Sequence, residues 1–515
     1  MNVRSTALDP GTAPPLIHGM AWPEMCQRKK AFQGDVGRPM LDALWASLCR
    51  FDLDTLLREL PNLQYALEQG RDVLLFRAEI AILLAIGHAW RDDPDRALSA
   101  AGEQLAHGCN RRFRPALRTL LRYCYWRTRQ FHAFYELSQP RSGSAHARTV
   151  LSEVLNLSIE AAAEAEQLRF RLAERLAKDA RELAALSSGL DAKATLLAIC
   201  VQAALAYEMG ALDQADLLLR GKLPGIEQYG SVECAVLGFA VAAKISRAQG
   251  NAKLSAMVLS RGMQLGLARC WPRLLACCAA DQIALHLALC EVGAAQALLA
   301  RAECRVTSLS GNAGLRPTDA APLDVARQRI ALARREHASA IAGLTRLRGL
   351  AQTWNHPALV MRLTMMLAAA LHQGERSDEA RDELLAALAA GADAGAFRTF
   401  VDEMPLIERC LRDVRGALGG RLWHLNPYIS SLLAVSEGMP EARRASPRPA
   451  VGNLLSAKET IILRLISVGL SNKNIARELR IAPETVKSHA KRIFIKLSAK
   501  TRAEAVARAS EFDLI

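Results

Sequence analysis

Near the carboxyl end, Lys487, Ser488 and Lys491 stand at positions i, i+1 and i+4 of the run PETVKSHAKRIFIK, a spacing that brings all three to one side of a helix. Two ammonium groups and a hydroxyl on neighbouring turns form a donor-rich set. It suits the acceptor atoms of base edges in a major groove, where each base pair shows its own donor and acceptor pattern. Around it lie Lys473, Thr485, Lys496, Lys500 and Arg502, which suit phosphate oxygens; such contacts supply affinity and register but carry no sequence information. A lysine-bearing helix is ordinarily only a solvated face, and here the charge balance argues against that. From Pro440 onward the chain holds 15 lysines and arginines against 7 acidic residues, so +8 of the net +14 falls in about a seventh of the length. Such an uneven surplus is the footprint of a polyanionic partner. His489 is beside the inward-facing Ala490 and reads as a packed or water-bonded imidazole rather than a base contact.

The elements that must position these side chains are legible around them. Ser456 and Glu459 form a capping box, and Ile461, Ile462, Leu465 and Ile466 recur at helical spacing until Gly469. Ser471 caps a second, shorter helix with Ile475, Ala476 and Leu479 inside and Lys473, Arg477 and Arg480 outside. After a turn at Arg480 to Ala482, Pro483 opens a third helix, because its missing N–H would have no partner in the first turn. The inner face of that helix is Val486, Ala490, Ile493 and Leu497. Thr501 with Glu504 opens a fourth helix bearing Ala505, Val506 and Ala509. Four short helices with a tight turn between the second and third describe a helix-turn-helix domain.

These residues resemble the LuxR-type helix-turn-helix of bacterial transcription regulators. The resemblance rests on Glu459, Gly469, the run Ser471 to Ala476, Leu479, Thr485-Val486-Lys487, His489, Ile493, Lys496-Leu497, Arg502-Ala503 and Ala505-Val506. The chain departs from the family at Ser456-Ala457-Lys458, where Thr-Pro-Arg is usual, and at Ala482, which replaces the usual capping hydroxyl at a cost of about 1 kcal/mol. The resemblance implies a sequence-specific regulator, by family an activator, that binds double-stranded DNA. It also implies base contacts from Lys487, Ser488 and Lys491, a dimer contact through the fourth helix and so a homodimer on DNA, and RNA polymerase as a further partner.

The chain of 515 residues is 51% hydrophobic yet only 5% aromatic, which favours closely packed helices with alanine and leucine cores. Residues 1–40, rich in proline, read as a disordered tail, and 41–139 as an N-terminal helical region. From 146 to 437 one theme repeats: an apolar helix, a glycine, a short polar turn and another helix. The glycines are Gly210, Gly250, Gly293 and Gly374, one, one and two units of about 40 residues apart, with a glycine-free turn expected at Arg334 to His337. These units resemble stretched tetratricopeptide repeats, which bury their faces only by stacking into a solenoid. The segment Ala396 to Glu403, with Tyr428 to Leu433, resembles the end of the sensor region in large MalT-like LuxR regulators. Residues 438–452 read as a flexible basic linker and 453–515 as the DNA-binding domain. The expected fold is thus all-α: a tetratricopeptide-like solenoid joined by a linker to a four-helix LuxR-type domain.

The sequence offers no chemistry for catalysis. It lacks the phosphate-cradling G-x-x-x-x-G-K-[ST] of the ATPase module found in MalT-like regulators, a strand–helix alternation for a receiver domain, G-x-S-x-G and H-E-x-x-H. No catalytic residue, cofactor or metal site is expected, and the cysteines, such as Cys200, Cys234, Cys277, Cys278 and Cys290, read as reduced core residues. No apolar run reaches bilayer length, Ala194 to Tyr207 being broken by Glu208, and no secretory signal is legible, so bacterial cytoplasmic residence at the nucleoid follows, with no membrane partner. The repeat groove is expected to take a small-molecule inducer or a protein; Met263, Trp271, Trp354, His356 and Met361 are candidate lining residues. The competing reading makes the repeats a protein-interaction scaffold with a weak DNA anchor.

Overall fold

The computed structural model describes residues 37–69, 76–107, 113–137, 147–187, 192–310, 314–417 and 425–436, and in the C-terminal part 457–467, 470–479, 481–496, 499, 501–502 and 504–506. The tail up to residue 36, the loop at 139–145, the linker 438–452 and Ser456 of the first capping box lie outside the described residues. The first helix, Arg38–Cys49, starts within the stretch expected to be tail, and Leu41 is already fully buried.

Every regular element among the described residues is a helix, and most pair as antiparallel hairpins. One turn recurs in all of these hairpins. Phe51, Asp92, Arg129, Leu168, Gly210, Gly250, Cys290, Arg335 and Glu375 each adopt a left-handed backbone, at intervals of about 40 residues. In each case the left-handed residue donates its N–H to the carbonyl three residues back, and the next residue donates to the carbonyl five back, as in Gly210 to Tyr207 and Ala211 to Ala206. This paired closure satisfies carbonyls that the helix end leaves unpaired. The recurring turn is therefore not confined to 146–437; it is present from Phe51 onward.

Two glycines expected at turns are not the turn residues. Gly293 lies inside helix Val292–Ser310 and the turn is made by Cys290, while Gly374 ends its helix with a negative φ and Glu375 takes the left-handed position. Non-glycine residues endure that conformation at about 1–2 kcal/mol each, which packing across the hairpin offsets. Cys290 is consequently exposed and Cys277 only half-buried, a correction to their expected place in the core; Cys200, Cys234 and Cys278 are buried as expected.

Alanine and glycine at helix contacts explain the low aromatic content. A Cβ on Gly262 would lie 2.6 Å from Sγ of Cys278 and 3.1 Å from the Phe239 ring, so the two neighbouring helices approach as closely as they do only because that atom is missing.

The stacked hairpins curl until distant parts of the chain meet. Trp271 donates its indole N–H to the carbonyl of Trp90 at 2.9 Å, and below this contact lies a buried ionic network. Arg127 reaches Glu233 at 3.0 Å and Asp319 at 2.6 Å; Arg273 reaches Glu233 at 2.6 Å and Asp92 at 3.0 Å; Arg316 reaches Asp319 at 2.5 Å. Three arginines face three carboxylates, so the cluster is neutral. Burial alone would raise the Asp319 carboxyl, but Arg127 and Arg316 hold it down at about 2, whereas at Asp92 burial outweighs the arginines and the shift is upward.

The segment Ala396 to Glu403 is a second closure. Phe397 N–H donates to the Glu208 carbonyl at 2.9 Å, Thr399 N–H to the Glu208 side chain at 2.9 Å, and Tyr207 O–H to Asp402 at 2.9 Å. Phe400 packs edge-on against Tyr428, whose hydroxyl donates to the Ala396 carbonyl. The motif thus fastens the last hairpins to helix Leu196–Glu208.

His356 supplies a test in solution. Its Nδ1 accepts from Leu359 N–H at 3.4 Å as a helix cap, which requires an unprotonated nitrogen, and burial pushes the imidazole down to about 4 despite Glu166 nearby. Between about pH 6.5 and pH 4 the unfolded chain binds a proton that the folded one refuses, so stability falls as the pH drops through this window. Glu166, held at about 2 by Arg129 although burial opposes it, adds a further loss as the pH falls from about 4.5 towards 2. Denaturant unfolding at pH 7 and pH 5 should show His356→Asn, which keeps a capping acceptor, losing less stability than the parent by up to about 2 kcal/mol. Equal losses would show that this imidazole is not the titrating group.

Candidate nucleic-acid interface

Three helices of the C-terminal unit, Ala457–Ser467, Asn472–Glu478 and Pro483–Lys496, pack on one another, and residues 502 and 504–506 are helical beyond them. The second starts where Ser471 Oγ accepts from Asn474 N–H at 3.3 Å. Its end is closed by Ile481 N–H donating to the Ala476 carbonyl at 3.0 Å, which turns the chain sharply into Pro483. At Ala482 only the backbone carbonyl caps, taking Thr485 N–H at 2.9 Å and Val486 N–H at 3.3 Å. Glu504 N–H donates to Thr501 Oγ1 at 3.2 Å and begins the last segment.

The core formed by these elements contains Ile462, Leu463, Ile466, Ile475, Val486, Ala490 and Ile493. Ile461, read as an inward residue, is instead 44% exposed, and Leu463 is buried in its stead. The helical phase of the first helix is thus one step away from that expected, since 459, 462, 463 and 466 share the inner face.

With Val486, Ala490 and Ile493 buried, the opposite side of helix Pro483–Lys496 faces out. Lys487, Ser488 and Lys491 are all exposed, as are Thr485 on the same helix and Lys473 on the preceding one. Lys487 Nζ is 3.6 Å from Glu484, a solvated i, i+3 pair too weak to hold the lysine away from a ligand. Lys496 closes the helix but its side chain is outside the described residues, as is all of Lys500. His489 is half-buried, and its Nδ1 has no hydrogen-bond partner among the described residues.

Arg502 departs most from expectation. Its guanidinium donates to the carbonyls of Leu470 and Ile466, the latter at 3.4 Å. Ile466 lies in the last turn of the first helix and Leu470 just past its end, so Arg502 braces the bundle and complements the negative end of that helix. Arg492, exposed one residue past Lys491, was missed by the sequence reading, although its position seven residues after Thr485 puts it on the same face.

Fold and site together define a class: an all-helical repeat protein that carries a helix-turn-helix domain with a basic, solvent-facing third helix. Residues 78–417 match the model of the MalT-like tetratricopeptide region and residues 453–509 that of the luxR family of bacterial regulatory proteins. The first match covers well over half of the chain, which therefore belongs to the MalT-like family, and the second makes its C-terminal unit a DNA-binding domain of transcriptional regulators. Among curated relatives, the transcriptional regulator AlkS of Pseudomonas putida is 28% identical over 160 residues, 30% of this chain and 17% of the relative. MalT of Serratia proteamaculans is 29% identical over 160 residues, 27% of this chain and again 17% of the relative. The nitrate/nitrite response regulator NarL of Escherichia coli is 36% identical over 124 residues, 24% of this chain and 53% of the relative. The chain thus spans about a sixth of the length of the first two and about half of the third.

Proposed function

We propose that this protein is a sequence-specific transcription regulator, acting as an activator, that binds operator DNA as a homodimer and whose helical repeats receive a small-molecule or protein signal. Lys487, Ser488 and Lys491 read base edges, while Lys473, Thr485 and Lys496, with Lys500 beyond, hold phosphates. Arg502 is assigned to bracing the domain. The observation that carries the reading is the exposure of Lys487, Ser488 and Lys491 together on a helix whose other face is locked into a hydrophobic core. A helix held this rigidly enters a groove as a unit, so the ordering entropy that opposes binding falls on the exposed side chains and not on the backbone. One such domain contacts few base pairs, and two copies related by a two-fold axis supply the rest of the affinity. The MalT and AlkS relatives are transcriptional regulators by name, which supports the same reading. The site of action is the bacterial nucleoid, with RNA polymerase as the next contact.

The test is binding of the full chain to DNA upstream of its own gene across a salt series. The expected result is a saturable, sequence-dependent complex whose log affinity falls linearly with log salt. Sequence-independent binding, or a flat response to salt, would remove the regulator reading and leave the repeats as a scaffold.

A further inference from the structure

Between the N-terminal hairpins and the next two lies a cavity of about 730 Å³, within the range of roughly 300–1,000 Å³ typical of small-molecule sites. Its walls are largely hydrocarbon and aromatic, with Trp45, Phe113, Leu120, Leu155, Leu197 and Val232 among them. Trp45 and Phe113 stack on each other with ring centres 5.2 Å apart, which stiffens that side of the wall. None of Met263, Trp271, Trp354, His356 and Met361, the residues singled out from sequence as pocket candidates, lines it; Trp271 and Met361 are core.

Among the described residues two at the wall carry charge, Glu233 and Lys193, and both are engaged within the protein. Glu233 accepts from Tyr123 O–H at 3.1 Å and is held by Arg127 at 3.0 Å and Arg273 at 2.6 Å. The Lys193 ammonium lies 3.9 Å from the centre of the Tyr229 ring, donates to the Arg50 carbonyl at 3.4 Å and takes part in a further interaction besides. Neutral polar groups around the cavity are used in the same way. Trp45 donates its indole N–H to Glu79 at 2.7 Å, Thr119 Oγ1 donates to the Pro115 carbonyl at 3.0 Å and accepts from Asn156 at 2.9 Å, and Ser231 Oγ caps helix Val232–Ala248. The indole nitrogen of Trp90 has no hydrogen-bond partner among the described residues, but it is buried and so forms no part of the cavity surface.

An enclosure this large, lined by hydrocarbon and with its charges matched internally, favours an occupant that needs no counter-charge. We infer that the cavity is a binding site for a neutral, apolar small molecule, an alcohol or a hydrocarbon and not an ion, seated among Trp45, Phe113 and Leu197. This rests on the reading that the repeats receive a small-molecule signal and names the chemistry of that signal. Affinity comes from the ligand's hydrocarbon leaving water, in proportion to the area buried. A carboxylate or ammonium head on the same chain would bury a charge, and it could be matched only by drawing Lys193 or Glu233 away from partners they already hold. The site lies at the junction of two hydrophobic cores, that of the N-terminal hairpins and the large central one, so an occupant touches both.

The test uses the full chain with decanol, decanoate and decylamine, each below its aggregation limit, read by calorimetry and by the fluorescence of Trp45 and Trp90. Decanol should bind saturably with a negative heat-capacity change and alter the fluorescence, and both charged probes should bind at least about tenfold more weakly. Ala116→Trp and Ser152→Phe each fill part of the cavity, and either should weaken decanol binding at least about tenfold at the parent's melting temperature. No saturable decanol binding, decanoate or decylamine binding as tightly as decanol, or undiminished decanol binding in a folded cavity-filled variant would overturn the inference. DNA binding measured on the same preparations separates the two readings. Absence of decanol binding with DNA binding intact overturns this site alone, and the converse overturns the regulator reading alone.

Discussion

Lys487→Ala combined with Lys491→Ala will lower affinity for the specific operator by about 30-fold to 10⁴-fold, while binding to unrelated duplex DNA weakens much less. Each good base-edge contact discriminates by about 1–3 kcal/mol, so losing two costs roughly 2–6 kcal/mol in the specific complex. Non-specific affinity rests on phosphate neutralisation, which Lys473 and its neighbours still provide, and the salt dependence should decline only slightly. The variant will fold normally. Both lysines are exposed, alanine is at least as good a helix former, and the buried face of Val486, Ala490 and Ile493 is untouched. Among the described residues the ion pair removed is the solvated one with Glu484, which is worth less than about 1 kcal/mol. Fluorescence anisotropy on specific and scrambled duplexes checks the expectation. If both affinities fall by the same factor, the two lysines are phosphate contacts and base reading belongs to other residues, Arg492 first among them.

The parts of this molecule that were legible in the sequence are those fixed by neighbours a few residues apart. The Ser471 cap, the opening Pro483 and the buried stripe of Val486, Ala490 and Ile493 are all local patterns, and the structure reproduces them. Repeat spacing was also legible, but the residue that makes the turn was so only at Gly210 and Gly250. The hydrogen bonds that close a hairpin require a left-handed residue without requiring glycine, so Leu168, Cys290, Arg335 and Glu375 carry no composition signal, and Gly293 gave a false one. Non-local partnerships were illegible for a different reason. Arg502 looks like any exposed arginine until the end of helix Ala457–Ser467 is brought against it, and nothing near Asp92 or Asp319 in the chain announces that they share Arg127. The cavity is of this kind too: its walls are drawn from residues 45 to 234, and only the curl of the solenoid brings them together.

Because that curl is set by contacts between distant hairpins, removing one buried charge should have the largest effect on stability in the repeat region. Arg273→Met deletes the partner of both Asp92 and Glu233 while roughly conserving volume. It leaves three buried carboxylates facing Arg127 and Arg316 only, and an uncompensated buried charge costs about 3–5 kcal/mol. The loss should be local, since a repeat protein unfolds in nearest-neighbour units. Hydrogen exchange should show lost protection in the hairpins around Asp92, Glu233 and Asp319, whereas the one around Glu375 should hold. Adding Asp92→Asn restores neutrality, with two arginines facing two carboxylates, so the double variant should recover much of the stability despite carrying two substitutions. That sign separates charge balance from packing. If methionine acted through lost contacts alone, the second substitution would add its own cost, and a double variant less stable than Arg273→Met would show that the network's neutrality does not hold the solenoid closed. Recovery would instead identify the network as the device that sets the curvature, because only charges brought together by the curl can compensate one another across such a distance along the chain.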